Sequence, residues 1–243
     1  MAIELPGEVE SFLAFIGIRW PSVNEDKVRE FADHVREFTD KVDEAHREST
    51  ATVHALSEAY EGASYEALLA KWASLSDSHM NELVQACRVV ATALDVAADV
   101  IVAMKVEAIA ELVVLAATLI AEQAAAVATL GAAEAAAAAT VLAGRKLVQF
   151  LEQQLEDYII GQVIEAAIDP LVGVVAGAVS GLVFQTAESA LGVSGGGGGG
   201  GGTGFRINPD ALEAHARTMH QHAETVAGHA QAFQSKLAGV SFE

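Results

Sequence analysis

A long stripe of apolar residues runs through the first quarter of the chain. Its members step by three and four positions, which places them on one side of an α-helix. Ser22 and Glu25 fit a capping box at the start of this helix. A helix that ends at Tyr60 would be about 54 Å long at about 1.5 Å per residue, so its stripe requires a second long helix. The stripe contains Val28, Phe31, Val35, Phe38, Val42, Ala45, Leu56 and Ala59.

A second stripe with the same spacing follows between residues 68 and 101 and includes Trp72. The segment between the two stripes is Tyr60-Glu61-Gly62-Ala63-Ser64. Gly62 can adopt the positive φ that ends a helix, and Ser64 can cap the next one. We therefore predict an antiparallel helical hairpin that turns at Tyr60-Glu61-Gly62, with Tyr65 beside the turn and Phe31, Phe38 and Trp72 in the seam.

Breaker residues indicate the fold class. No proline occurs between Pro21 and Pro170, and no segment alternates with period two for long. An amphipathic turn is expected from about Glu8 to Gly17. The predicted fold is all-α, a long antiparallel helical hairpin that further apolar helices extend into an elongated bundle. A separate short helix is expected after a glycine linker.

A run of eight glycines, Gly195 to Gly202, predicts a disordered linker over 193–204. Asn208-Pro209-Asp210 then opens a helix with an apolar heptad stripe. The predicted domains are a helical domain at 1–192, the linker, and the start of a second, truncated hairpin at 205–243. We expect its helix to fray or to pair with a copy of itself.

The apolar middle of the chain allows two interpretations. Leu112 to Ala121 is almost wholly apolar, and Gly173, Gly177 and Gly181 have the spacing that lets helices approach closely. Alanine drives membrane insertion weakly, and Pro170 to Phe184 is short of the ~20 residues of a span. A buried helical core is favoured, and membrane contact through 112–184 remains the alternative.

Charge and cysteine content exclude several functions. The chain has 33 acidic and 14 basic residues and a formal net charge of −19, which argues against nucleic acid as a partner. Cys87 is the single cysteine, so no internal disulfide forms, and it is expected to be buried and inert. Met1 to Pro6 carries acid rather than base, so no cleavable signal peptide is expected.

Histidines provide the strongest candidates for chemistry. His215, His222 and His229 share one stripe, but a spacing of two turns, about 10 Å, is too wide for two of them to bind one metal. They are expected at the edge of an interface, and His79 is expected as a hydrogen-bonded residue of the seam. No nucleophile turn or phosphate loop is present. We expect no catalytic, cofactor or metal site, and therefore no enzyme.

The hairpin turn resembles that of a known family. Tyr60 stands where the tryptophan of the Trp-x-Gly turn lies in small type VII secretion substrates, and Gly62 matches the glycine; larger Pro-Pro-Glu substrates are similar. Residues 1–192 also resemble the N-terminal region of Gram-positive actinobacterial polymorphic toxins, including the outer-membrane channel and necrotizing toxin type. The residues that carry this second resemblance are Glu4-Leu5-Pro6, Trp20-Pro21, Glu25-Asp26-Lys27, Met104-Lys105, Leu130-Gly131 and Asp169-Pro170.

The resemblance implies an export and partner-recognition module of a secreted or cell-surface type VII effector, with Tyr60, Glu61, Gly62 and Tyr65 as recognition residues. Its partners would be the secretion machinery, a helical partner or a chaperone chain. The family's export tag, a tyrosine followed four residues later by an acid, is absent after Tyr60, Tyr65 and Tyr158. A partner chain then supplies the tag, or it lies beyond residue 243. A membrane channel and a helical oligomerisation module, including a homo-oligomer, are the alternatives.

Overall fold

Long helices make up most of the described chain. A computed structural model describes residues 3–75, 80–128, 134–169, 171–173, 206–239 and 241–242. The prediction of an all-α fold is confirmed, although two strands of two residues each form an antiparallel pair. In chain order the elements are α1 Gly7–Ile16, α2 Glu25–Ala59, β1 Tyr60–Glu61, α3 Ala63–Leu75, α4 Asn81–Ala128, α5 Glu134–Tyr158, a π-helix Ile159–Ile168, β2 Arg206–Ile207 and α6 Pro209–Gly239.

The chain divides into two compact units. The first comprises residues 1–30, 93–167 and 241–243, and the second comprises residues 31–92 and 168–240. α6 belongs to the same unit as most of the hairpin. The predicted linker at 193–204 lies outside the described residues, as do Pro170 and residues 174–192.

In the first unit, α1 packs on α4 and α5. Phe12, Leu13 and Ile16 of α1 share a buried cluster with Leu112 of α4 and Val148 of α5. Gly17 ends α1 with a φ of 70°, and its N–H donates to the Ala14 carbonyl. The predicted amphipathic segment at about 8–17 is therefore a helix with a left-handed glycine cap.

Gly144 of α5 lies directly against the buried ring of Phe12. A Cβ atom at Gly144 would lie 2.7 Å from two ring carbons of Phe12. Overpacking costs about 1–3 kcal/mol, whereas alanine recovers about 1 kcal/mol of helix propensity. We expect Gly144→Ala to lower the free energy of unfolding by about 1 kcal/mol, measured by chemical denaturation.

Gly228→Ala is the matched control, because a Cβ atom there meets nothing within 4 Å. It should stabilise the protein by up to about 1 kcal/mol through helix propensity alone. Equal stabilisation by both substitutions would contradict the packing of α1 on α5.

The start of α2 corrects the predicted capping box. α2 begins at Glu25, and the Asn24 side chain accepts a 2.9 Å hydrogen bond from the Asp26 N–H. Asn24 is therefore the N-cap, and the assignment of Ser22 was wrong. Asparagine is at least as good a cap as serine, and here it lies directly before the first helical residue.

Glu25 forms a buried ion pair with Lys105 of α4. The Lys105 ammonium lies 2.6 Å from a Glu25 carboxylate oxygen, and the two side chains are 4% and 0% exposed. Lys105 also donates to the Val23 carbonyl, and the second Glu25 oxygen accepts from the Ile3 N–H at 2.8 Å. Every contact of this cluster lies within the first unit.

In the second unit, α2 forms the predicted antiparallel hairpin with α3 and the start of α4. Trp72 donates to the Thr50 hydroxyl at 3.1 Å, and further from the turn Thr39 hydrogen-bonds Cys87. Contacts that move toward lower numbers on α2 and higher numbers on the following helices define antiparallel helices. Cys87 is fully buried, and burial raises the pKa of its thiol above the ordinary value while the Thr39 hydrogen bond opposes the rise.

The second half of the hairpin is described as two helices, α3 and the start of α4. α3 ends at Leu75 and α4 begins at Asn81, and His79 lies outside the described residues.

α6 packs antiparallel along α2 in the same unit. The rings of Phe38 and Phe233 stack with centroids 4.5 Å apart, and His222 near the other end of α6 approaches Glu48 at 3.6 Å. Val226 and Phe233 of the predicted heptad stripe are buried. The expectation that this helix frays or pairs with a copy of itself is therefore not met, because α2 covers its stripe.

Candidate recognition site at the hairpin turn

Gly62 carries the reversal of the chain. Its φ is 150°, a positive value that residues with a side chain rarely adopt. Its carbonyl accepts hydrogen bonds from Tyr65 N–H at 3.0 Å and Glu66 N–H at 3.3 Å, which starts α3. Gly62 is thus the N-cap of α3, and Ser64 lies inside its first turn. The predicted capping role of Ser64 was wrong because the helix starts two residues earlier, at Ala63.

Tyr65 ties α3 back to α2. Its hydroxyl lies 3.2 Å from the His54 carbonyl and 3.4 Å from the Val53 carbonyl. The single hydroxyl proton is shared between two acceptors on the preceding helix. Tyr65 therefore fixes the angle at which the chain leaves the turn, in addition to its predicted role in recognition.

The turn is joined to the segment before α6. Tyr60 pairs with Ile207 and Glu61 with Arg206 in the two-residue antiparallel ladder. The Asn208 N–H donates to the carbonyl of Ala59 at 2.8 Å, which satisfies an acceptor at the C-terminus of α2. The backbone edge of the turn is thus occupied within the second unit.

Asn208 has a second role at the same place. Its side chain accepts from the Ala211 N–H at 3.2 Å, as expected of the N-cap of α6. One residue therefore ends α2 and begins α6. The predicted helix start at Asn208-Pro209-Asp210 agrees with this geometry, but nothing in the sequence indicated that it would lie at the hairpin turn.

The predicted recognition residues are not equally accessible. Glu61 is exposed, whereas Tyr60, Gly62 and Tyr65 are half-buried. The backbone of Tyr60 and Glu61 is paired with residues 206–207, so a partner that binds the turn would contact their side chains.

The predicted seam residues lie along α2 and α3. Phe31 and Phe38 are buried, and Trp72 is half-buried with its ring stacked on His46 at a centroid distance of 5.7 Å. Phe38 contacts α6 as well, which the sequence did not indicate. The buried pair of Glu25 and Lys105 was also missed as a pair, although both residues belong to the segments that carry the toxin resemblance.

A cleft of about 110 Å³ lies between α2 and α6 in the second unit and is lined by both charged and apolar side chains. Its carboxylate, Glu37, receives hydrogen bonds from Lys236 and Lys41, both at 2.6 Å. These bonds, Lys236 first, lower the pKa of Glu37 to about 2. The charges of the cleft are therefore paired with one another, so they do not define a ligand.

The histidine stripe of α6 lies at the edge of the helix pair. His215, His222 and His229 are half-buried, and His222 also lies 3.3 Å from the Thr52 hydroxyl. In the described part of the chain, no three histidine, cysteine or acidic side chains form a group that could hold a metal ion. Within the described ranges, every helix falls short of the length or hydropathy that a membrane span requires.

A comparison with protein families shows the family to which this chain belongs. The sequence profile of the WXG100 like domain matches residues 3–146, more than half of the chain. The chain belongs to the WXG100-like domain family. Neither a curated protein nor a solved structure matches it.

The WXG100-like region contains α1, the hairpin, α4 and the first half of α5. Tyr60-Glu61-Gly62 lies inside it at the reversal of the chain, and α6 lies beyond it. The family relates the chain to type VII secretion as a helical module, and proteins of this family typically dimerise and interact with the secretion machinery.

Proposed function

We propose that this protein is a non-enzymatic export and partner-recognition module of a type VII secretion effector. The observation that carries the proposal is the reversal at Tyr60-Glu61-Gly62, where an aromatic-x-Gly turn joins two antiparallel helices in a WXG100-like chain. The exposed Glu61 carboxylate and the half-buried Tyr60 ring form the surface that is read.

We further propose that the effector is a polymorphic toxin and that the described residues deliver it rather than act on a substrate. The resemblance of residues 1–192 to toxin N-terminal regions supports this assignment. The packing of α1 against α4 and α5 gives the first unit a hydrophobic core of its own.

Backbone strain at the turn provides the sharpest test of the proposed function. In Gly62→Ala a side chain is forced into a φ of 150°, which costs about 1–3 kcal/mol locally and displaces Tyr60. We expect export to fall at least tenfold while helix content, measured by circular dichroism, stays largely intact. Tyr60→Ala should reduce export without backbone strain, and the double variant should abolish it. Export is measured as the ratio of culture filtrate to cell-associated protein in a host with a type VII system.

Gly17→Ala is the matched control. It places a side chain at a φ of 70° with no atom within 4 Å of the new Cβ, so it imposes backbone strain away from the turn. Its export should remain normal once expression is equalised. Normal export of the Tyr60→Ala, Gly62→Ala double variant would refute the role of the turn.

A further inference from the structure

The side of α4 that faces away from the core of the first unit exposes a face that is apolar except for Glu107. On the opposite side of α4, buried residues recur every seven positions, at Ala98, Lys105, Leu112 and Leu119. On the exposed side, the residues at three- and four-residue spacing from Ala93 to Ala121 are small and apolar except for Glu107, over a length of about 42 Å at ~1.5 Å per residue. We call this surface the α4 face; its principal members are Ala93, Val96, Ala103, Ala110, Val114 and Ala117.

The α4 face is a helix-pairing stripe without a partner in the described structure. Val96 is 55% exposed and Val114 is 64% exposed, values that are high for residues at stripe positions. Small residues at such spacing let a second helix approach closely, and contiguous exposed apolar surface of this kind marks an interaction site. The apolar spacing therefore indicates a helix as the ligand.

The charges on the α4 face indicate which helix it binds. Glu107 lies at the centre of the stripe and Glu111 lies one turn later, both exposed. Neither has an ion pair among the described residues, and the only cation of α4 between residues 93 and 125 is Lys105, buried with Glu25. Two carboxylates four residues apart on one helix repel each other. A cation brought by a partner would remove that repulsion.

The position of Glu107 argues against a second copy of this chain. Residue 107 is the midpoint of the stripe from 93 to 121. An in-register parallel pair, and an antiparallel pair that uses the whole stripe, both place Glu107 against Glu107 of the other copy. Like charges directly opposed at an interface cost free energy, and the net charge of −19 adds to the repulsion. An anionic lipid surface is disfavoured for the same reason.

We propose that the α4 face binds a separate helical protein whose contact helix carries small apolar residues at three- and four-residue spacing and a Lys or Arg opposite Glu107 and Glu111. This inference rests on the proposed function, because it specifies the partner of the recognition module. It concerns a different surface from the hairpin turn, so the two can fail independently.

Binding of two synthetic helices tests the charge of the partner. Both are about 28 residues long, the length of the α4 face, with Ala and Val at the stripe positions; one carries two central lysines and the other two central glutamates. Fluorescence anisotropy with the full chain should show that the lysine helix binds about tenfold more tightly. In the Glu107→Lys, Glu111→Lys variant the preference should reverse.

Glu152→Lys with Glu156→Lys is the matched control. These residues form another exposed carboxylate pair at i and i+4, on α5, and the substitution changes the net charge equally. Its preference should remain that of the unmodified chain. Val96→Asp with Val114→Asp should remove binding of both helices while circular dichroism stays unchanged, because both side chains are largely exposed.

Several results would overturn the proposal. Equal affinity for the two helices, or no binding of either at about 1 mM, a concentration at which contacts worth only ~4 kcal/mol are detected, excludes a basic partner. Dimerisation in light scattering that Val114→Asp disrupts would assign the face to a second copy. Binding to anionic vesicles through the same residues would assign it to a membrane. None of these measurements involves export, so failure of the Gly62→Ala experiment leaves them interpretable.

Discussion

Lys105→Met is expected to lower the free energy of unfolding by about 3–5 kcal/mol, more than any other single substitution considered for the first unit. The substitution preserves the volume of the side chain but leaves the fully buried Glu25 carboxylate without its cation. It also leaves the Val23 carbonyl without the ammonium donor. Urea denaturation followed by circular dichroism measures the loss.

Lys27→Met is the control for that substitution. Lys27 forms an ion pair with Glu30 at 2.8 Å, but both side chains are about half exposed. Exposed pairs contribute about 0–1 kcal/mol, so the control should lie within that range. Similar losses for the two variants would contradict the burial of the Glu25–Lys105 pair.

The pH dependence of stability distinguishes this ion pair from ordinary packing. Burial raises the pKa of Glu25, but the hydrogen bond from Lys105, together with the backbone N–H groups of Glu25 and Ile3, outweighs it and holds the pKa below 4.5. A lowered pKa means that the contribution is complete above pH 4.5 and is lost as the pH falls through the folded-state value. In Lys105→Met the ammonium no longer counteracts the effect of burial, which raises the pKa of Glu25. The free energy of unfolding of that variant should therefore increase as the pH falls and Glu25 takes up a proton.

Phe233→Ala is the second substitution with a large expected effect. The ring is 2% exposed and stacks on Phe38 at an interplanar angle of 11°. Removing a buried phenylalanine side chain costs about 3–5 kcal/mol, and here the loss falls on the contact of α6 with α2. We expect hydrogen exchange of residues 209–239 to accelerate at least a hundredfold, with a smaller change in residues 81–92.

Phe150→Ala is the comparison for Phe233→Ala. Phe150 is 59% exposed on α5, so its truncation should change stability by less than about 0.5 kcal/mol. Equal hydrogen-exchange rates of residues 209–239 in the unmodified chain and in Phe233→Ala would contradict a stabilising role of the ring stack between α6 and α2.

Local pattern predicted the helices well. The stripe of α2 was predicted because every one of its members is an apolar residue at helical spacing, and the aromatic-x-Gly turn was predicted because glycine is needed at a positive φ. The end of α1 at Gly17 follows from the same property of glycine. These features depend on residues that are close together in the sequence.

Contacts between distant residues could not be predicted in this way. Glu25 and Lys105 are 80 positions apart, and either alone has the appearance of a solvated charge on a helix. The apolar stripe of α6 was predicted, but the helix that it packs on was not. The apolar stripe of α2 had been assigned to the hairpin, so α2 was not considered as the partner of α6. Asn208 was recognised as a cap, whereas its bond to the Ala59 carbonyl depends on the packing of α6.

The thiol of Cys87 can report transient opening of the hairpin. Cys87 has no exposed surface, and a thiol whose pKa is raised reacts slowly even when reached. A disulfide reagent such as Ellman's reagent can therefore modify it only during openings that separate α4 from α2 near Thr39. Its labelling rate, compared with that of the unfolded chain, gives the free energy of those openings without any introduced probe.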